Sequence, residues 1–138
     1  MEADMIYDEL KKQVAIDLEL TPDTAEIKSL KLSSIYIKYL DLYMNEVRKL
    51  KDIQAVKEKQ YTLLLHKFRK EGFEKFEVKG KDTDHYIHLD EDYVKIISEF
   101  KEQTFITNYL ESVLEQVNKL SFNIKNFVDI QKVKLGIN

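Results

Sequence analysis

The sequence contains no cysteine, and only three glycines and one proline are present among its 138 residues. The lack of cysteine excludes a disulfide framework, a cysteine nucleophile and a zinc site built on thiolates. Average proteins contain about 7% glycine and 5% proline, so this scarcity argues against an all-β sandwich, a glycine-rich nucleotide-binding fold and a disordered linker. No run approaches the roughly 18 apolar residues of a membrane span, and the acidic start is unlike a signal peptide. We therefore expect a soluble, mostly helical cytoplasmic protein with no membrane partner.

The net charge of −3 hides a banded distribution of charge along the chain. Residues 46–81 carry eleven basic and six acidic side chains, and residues 119–138 carry four basic and one acidic. Residues 1–45 and 82–118 have an excess of acidic side chains. A basic band of this kind attracts phosphate, although a solvated helix face with ion pairs gives the same pattern.

Apolar periodicity predicts a short amphipathic helix within residues 1–20. Its apolar residues recur every four positions, at Ile6, Leu10, Val14 and Leu18. After Pro22 no further proline and no glycine occurs before Gly72, which predicts a long helical rod over residues 22–71.

The apolar seam of the predicted rod is interrupted by polar residues at Gln54 and Lys57. Three interpretations are open for this gap. The first is a polar layer that sets the register of packed helices. The second is a place where the seam opens onto a charged ligand, and the third is a break into two helices around residues 52–58.

Residues 74–89 are predicted to form a β-hairpin. Apolar and polar residues alternate at period two over residues 76–79 and 86–89, on either side of Gly80. Because two isolated strands are only marginally stable in water, we expect them to pack on a helix or on another subunit. The predicted fold class is therefore mainly α with a small β-hairpin.

Residues 91–134 contain the most regular heptad repeat in the chain. Its apolar positions alternate steps of four and three, at Ile106, Leu110, Val113, Val117, Leu120, Ile124 and Phe127. This seam is too apolar to remain in water, and identical chains are the simplest source of a covering surface. We expect these seven residues to drive assembly of a homo-oligomer in which each chain forms one domain over residues 1–138.

No arrangement of residues suited to catalysis is recognisable. The sequence lacks a phosphate-binding glycine loop, a nucleophile elbow and a His-Glu zinc helix. His85 and His88 would point to opposite faces of a strand, so their spacing does not suit a metal site. We therefore expect no enzymatic activity, no catalytic residue, no metal and no cofactor.

The basic residues of the long rod are the best candidates for a functional surface. The nominated nucleic-acid-binding residues are Arg48, Lys49, Lys51, Lys57 and Lys59. Cations can follow a phosphate backbone while nearby aromatic rings stack on unpaired bases. Tyr61 and Phe68 are such rings, although both also lie on the heptad seam, where core packing is the simpler role.

Five segments carry a resemblance to a known family. In chain order they read ELKKQVAID (9–17), YIKYL (36–40), AVKEK (55–59), LDEDYV (89–94) and LSFNIKNFVD (120–129). Each segment is short, and their order and spacing over the whole chain carry the comparison. Together they resemble the UvsY-type recombination mediators of T-even-like bacteriophages.

The resemblance implies a non-enzymatic accessory protein of homologous recombination. Such mediators form a ring-like homo-oligomer, heptameric in the best-known member, and bind single-stranded DNA. They loosen single-strand-binding protein from that DNA and help to load a RecA-like recombinase. By resemblance Lys57 and Lys59 match the family's basic Lys-x-Arg motif for DNA binding, and the carboxy-terminal helix matches the segment implicated in assembly.

This chain departs from the family motif in three places. Lys59 stands where the motif has arginine, and Glu58 and Gln60 replace a small residue and a leucine. Lysine lacks the bidentate fork of arginine, and an acid between two cations lowers the local potential. The alternative function is a coiled-coil structural or scaffolding protein with no nucleic-acid ligand.

Overall fold

A computed structural model describes the backbone of residues 2–71 and 81–136. It contains four helices within those ranges: α1 (Glu2–Leu18), α2 (Ala25–Glu71), α3 (Lys81–Ile87) and α4 (Glu91–Lys134). The described ranges contain no β-strand. The expectation of a mainly helical protein is confirmed.

The predicted β-hairpin is wrong in its second strand, because Lys81–Ile87 is helical and residues 88–89 form a turn. The first strand, residues 76–79, lies outside the described residues. Thr83 and Ile87, four residues apart, are both almost completely buried, which is the spacing of one helix face. The alternation over residues 86–89 gave the wrong prediction because the run is short. A run of four residues is also compatible with a helix in which every fourth position is buried.

Helix α2 begins after a reciprocal pair of threonine hydrogen bonds. The backbone N–H of Thr24 donates to Oγ1 of Thr21 at 3.2 Å, and the backbone N–H of Thr21 donates to Oγ1 of Thr24 at 3.0 Å. These bonds satisfy amide groups that the first helical turn leaves without a partner. The helix then continues without interruption through residues 52–58, so the break considered there is not present.

The chain divides into two compact units, to each of which α2 and α4 both contribute. The first unit comprises residues 1–45 and 106–138, and the second comprises residues 46–105. The core of the first unit joins residues of α1, α2 and α4, among them Val14, Tyr39 and Leu110. Its packing is therefore that of three helices sharing one apolar centre.

A buried polar contact ties α1 to α2 in the first unit. Tyr39, which is completely buried, donates its hydroxyl to Oδ2 of Asp17 at 2.5 Å. The ammonium of Lys38 donates to the same carboxylate oxygen at 2.7 Å. Partial burial alone would raise the pKa of Asp17, but hydrogen bonds from Lys38 and Tyr39, with the charges of Lys38 and Lys28, hold that pKa below its usual value.

The core of the second unit is built around Ile87 of α3. Its side chain is buried with Leu64 and Phe68 of α2 and Tyr93 of α4. A helix of seven residues is too short to be stable alone, so α3 is held by this packing. The second unit is therefore held together by contacts among α2, α3 and α4.

Candidate nucleic-acid interface

Three of the five nominated basic residues share the outer face of α2 in the second unit. Arg48, Lys51 and Lys59 are all exposed. Steps of three and four along a helix return to the same side, and Ala55 completes the series between Lys51 and Lys59. Within the described part of the chain these three cations make no ion pair. Three exposed cations therefore lie on one side of α2.

Lys57 lies on the other side of the same helix. Two residues separate it from Lys59, which corresponds to a rotation of about 200° around an α-helix. Lys57 is half-buried, and its Nζ lies 4.1 Å from the centroid of the Phe100 ring of α4. Such a position over the ring face is a cation–π contact. The polar gap in the seam is thus filled by an ammonium resting on an aromatic ring.

Lys49 is exposed on the flank of α2, and an acid offsets its charge. Its Nζ lies 3.1 Å from Oε1 of Glu46, one helical turn away. The other carboxylate oxygen of Glu46 accepts a hydrogen bond from Nε2 of Gln103 at 2.6 Å. Because Gln103 holds Glu46 in place, Lys49 contributes less to the field of the outer face than its neighbours do.

Two acids border the outer basic face. Asp52 is exposed beside Arg48 and Lys51. Glu58 accepts a hydrogen bond from Nε2 of Gln54 at 3.3 Å. Gln54 lies toward the seam side of α2, so this bond draws the Glu58 carboxylate away from the centre of the basic face. The outer face therefore has more positive than negative side chains.

The two aromatic residues proposed for base stacking have other positions. Phe68 is buried in the core of the second unit. Tyr61 is half-buried, and its hydroxyl donates to Oδ1 of Asp84 at 2.7 Å. That hydrogen bond is the main cause of a raised pKa of Tyr61. Both rings therefore serve packing between helices, the simpler of the two roles considered for them.

The seven residues nominated for assembly lie in the first unit, where six of them are buried within a single chain. The buried six are Ile106, Leu110, Val113, Val117, Leu120 and Ile124, and Phe127 is half-buried. The core that surrounds Leu110 and Val117 includes residues of α1 and α2 of the same chain. Burial of this seam therefore does not require a second copy, and its role in assembly stays a prediction.

Other apolar side chains of the first unit remain exposed, and sequence reasoning did not single them out. On α2 they include Leu30, Ile37 and Met44, of which Leu30 is 81% exposed. These three residues are spaced seven apart, which could have indicated a second apolar stripe in addition to the more regular repeat of α4. An open groove of about 510 Å³ also lies between the start of α2 and the end of α4, with Leu30, Phe127 and Leu135 in its wall.

The described residues contain no group of three histidine, cysteine, aspartate or glutamate side chains placed to hold a metal ion. His88 instead points its Nδ1 at the backbone carbonyl of Asp84, 2.7 Å away. None of the described helices is both long and apolar enough to cross a membrane.

Comparison with known proteins identifies the family. Residues 9–137 match the family described as recombination, repair and ssDNA binding protein UvsY, so the chain belongs to the UvsY family. No curated protein matches the sequence.

The fold is similar to crystal structures of the bacteriophage T4 recombination mediator protein UvsY. The crystal structure in lattice type IV matches this chain with a TM-score of 0.82 and 13% sequence identity, over 93% of this chain and 98% of that chain. The crystal structure in lattice type II matches with a TM-score of 0.81 and 14% sequence identity, over 93% of this chain and 96% of that chain. At this identity the similarity establishes a shared helical fold. The family and the fold together support a role in phage recombination and repair.

Proposed function

We propose that this protein is a non-enzymatic recombination mediator that acts in phage recombination and repair in the cytoplasm of the host cell. It binds single-stranded DNA, helps to displace single-strand-binding protein and loads a RecA-like recombinase. The observation that carries the proposal is the exposed basic face of Arg48, Lys51 and Lys59 in a chain of the UvsY family.

Binding through this face is electrostatic and independent of base sequence. Lysine and arginine on one side of a straight helix can approach phosphate oxygens along a strand, but they do not form a pocket that encloses a base. The affinity is therefore expected to fall steeply with salt, because each neutralised phosphate releases counterions. A mediator needs binding of this kind, since it acts on strands of any sequence.

The protein works as a homo-oligomer, which the family resemblance describes as a heptameric ring. One flexible strand that touches several subunits gains affinity at each contact, so the few cations of one chain become sufficient. The exposed apolar residues of the first unit, such as Leu30 and Ile37, support self-association. Exposed apolar patches are typical of surfaces that bind a partner.

The test measures assembly of a RecA-like recombinase on DNA that is coated with single-strand-binding protein. Wild-type protein is expected to shorten the delay before recombinase filaments form. The double variant Lys51→Ala/Lys59→Ala removes two cations from the outer face and is expected to lose that effect. Lys95→Ala/Lys101→Ala removes the same charge from exposed positions of α4 in the same unit and is the matched control.

The outcomes separate the mediator from the scaffold. Stimulation by the wild type and by the control, but not by the outer-face variant, supports the mediator. If the wild-type protein neither binds single-stranded DNA nor speeds filament formation, the chain is a scaffold and the proposal is wrong. If both double variants lose activity equally, total charge rather than the outer face of α2 is responsible, and the assignment of the site fails.

A further inference from the structure

Arg69, which was not nominated from the sequence, is a further described cation on the outer face of α2. Arg69 lies ten residues after Lys59, and steps of three, four and three through Thr62 and His66 connect the two positions. All four of these residues are exposed. The periodicity of the helix therefore places Arg69 on the side of α2 that carries Lys51 and Lys59.

Nothing in the described part of the chain neutralises Arg69. Its guanidinium makes no ion pair with any described carboxylate. The hydrogen bond to Asp84 raises the pKa of the Tyr61 hydroxyl, and the positive charge of Arg69 opposes part of that effect. An exposed guanidinium that makes no ion pair with the described residues can bind an anion from solution.

We propose that Arg69 is a further phosphate-binding residue, and that the phosphate track of α2 runs from Arg48 to Arg69. This inference rests on the proposed binding of single-stranded DNA and adds the far end of that surface. The track spans about 32 Å, because each helical residue rises 1.5 Å. Lys57 is not part of it, since its ammonium rests on Phe100 on the opposite side of the helix.

Arginine at the end of the track has a distinct chemical role. The planar guanidinium can donate two parallel hydrogen bonds to one phosphate, whereas a lysine ammonium acts as a point charge. Lys51 and Lys59 lack such a fork. Arg48 and Arg69 provide one at each end of the track.

The experiment compares Arg69→Gln with Lys67→Gln in the full-length protein. Lys67 is exposed on the same helix, carries the same charge and lies about 200° around the helix from Arg69. Binding of a long oligo-dT is measured by fluorescence anisotropy over a tenfold range of salt. Circular dichroism verifies that each variant keeps the helical content of the wild type.

Arg69→Gln is expected to reduce the slope of log affinity against log salt by about 0.7, the value for one phosphate contact to a single strand. Across a tenfold change in salt, the ratio of wild-type affinity to variant affinity therefore changes by about fivefold. Lys67→Gln is expected to leave the slope at its wild-type value. Arg69→Lys is expected to retain the slope and lose part of the affinity, because the charge remains and the fork is lost.

Failure of this inference and failure of the proposed function give different results. If wild-type protein binds with a steep salt dependence but Arg69→Gln and Lys67→Gln behave alike, Arg69 is not part of the track and the inference is wrong. If the wild type shows no salt-dependent binding at all, the proposed function itself is wrong. A reduced slope for Arg69→Gln alone supports both.

Discussion

The Nζ atom of Lys57 lies 4.1 Å from the centroid of the Phe100 ring, on the side of α2 that faces α4. Lys59, only two residues further along, is exposed on the outer side. Lys57 and Lys59 therefore have different surroundings in this chain. One stabilises the contact between α2 and α4, and the other is available to a ligand.

The contact between Lys57 and Phe100 is expected to contribute measurably to stability. Cation–π pairs contribute about 0.5–1 kcal/mol at exposed sites and about 2 kcal/mol when desolvated. Lys57→Met keeps most of the apolar stem, and Phe100→Leu keeps an apolar side chain without the ring. A double-mutant cycle in urea should give a coupling free energy of about 0.5–1 kcal/mol. Additive effects of the two substitutions would show that the contact contributes nothing.

Lys57→Met is also expected to leave DNA binding largely unchanged. Its ammonium is engaged with Phe100, so removal of the charge takes no phosphate contact away. Lys59→Ala, in contrast, is expected to lower the salt slope of oligo-dT binding by about 0.7. The measurement is fluorescence anisotropy of both variants beside the wild type. Equal losses of slope would show that both lysines of the motif contact the strand.

Leu110→Ala is expected to destabilise the folded chain itself. Leu110 is buried among residues of α1, α2 and α4 of one chain, so the substitution leaves a cavity in that core. Losses of about 2–5 kcal/mol are usual for such a change. The measurement is the free energy of unfolding in urea, with the exposed Phe122→Ala as the control. A variant that dissociates yet keeps the unfolding free energy of the wild type would instead place Leu110 between subunits.

The position of Ile87 distinguishes the observed helix from the hairpin that the sequence predicted. In a strand Ile87 and Leu89 would share one face, and their truncation would have similar effects. In the structure Ile87 is completely buried whereas Leu89 is 54% exposed. Ile87→Ala is therefore expected to cost about 2–5 kcal/mol of unfolding free energy, and Leu89→Ala less than about 1 kcal/mol. Similar costs for both would favour the strand.

Acid is expected to weaken the contact between α1 and α2. The pKa of Asp17 is lowered in the folded state, so the folded chain binds this proton less readily than the unfolded chain does. The stabilisation is therefore fully present above the ordinary pKa, about 3.9, and is lost as the pH falls below it. Asp17→Asn should cost unfolding free energy at pH 7 and less at pH 3. An equal cost at both would show that the carboxylate charge is not involved.

The sequence predicted the three longer helices well, because long periodic segments carry a strong signal, but it missed α3. The Thr-Pro start predicted where α2 begins to within a few residues, and the α4 heptad is helical throughout. The partner of that heptad could not be predicted. Leu110 and Val117 have the same spacing whether the covering surface belongs to another chain or to α1 and α2 of the same chain.

The candidate site could be predicted in part. Spacing alone places Lys57 and Lys59 on different sides of a helix. The grouping of Arg48, Lys51 and Lys59 on one side was not predicted. The apolar seam placed Lys57 on the inward side, but the ring that it contacts, Phe100, is more than forty residues away in the sequence. No local pattern indicates that contact. The hairpin failed for the related reason that burial of Ile87 depends on distant residues of α2.

The salt dependence of oligonucleotide binding tests the central claim most directly. The account predicts that wild-type protein binds oligo-dT and a mixed-sequence strand alike, with an affinity that falls steeply as salt rises. Lys51→Ala/Lys59→Ala should lower the slope of log affinity against log salt by about 1.4, for two phosphate contacts, and Lys95→Ala/Lys101→Ala should not. An unchanged slope for the first pair, or no binding by the wild type, would contradict the account.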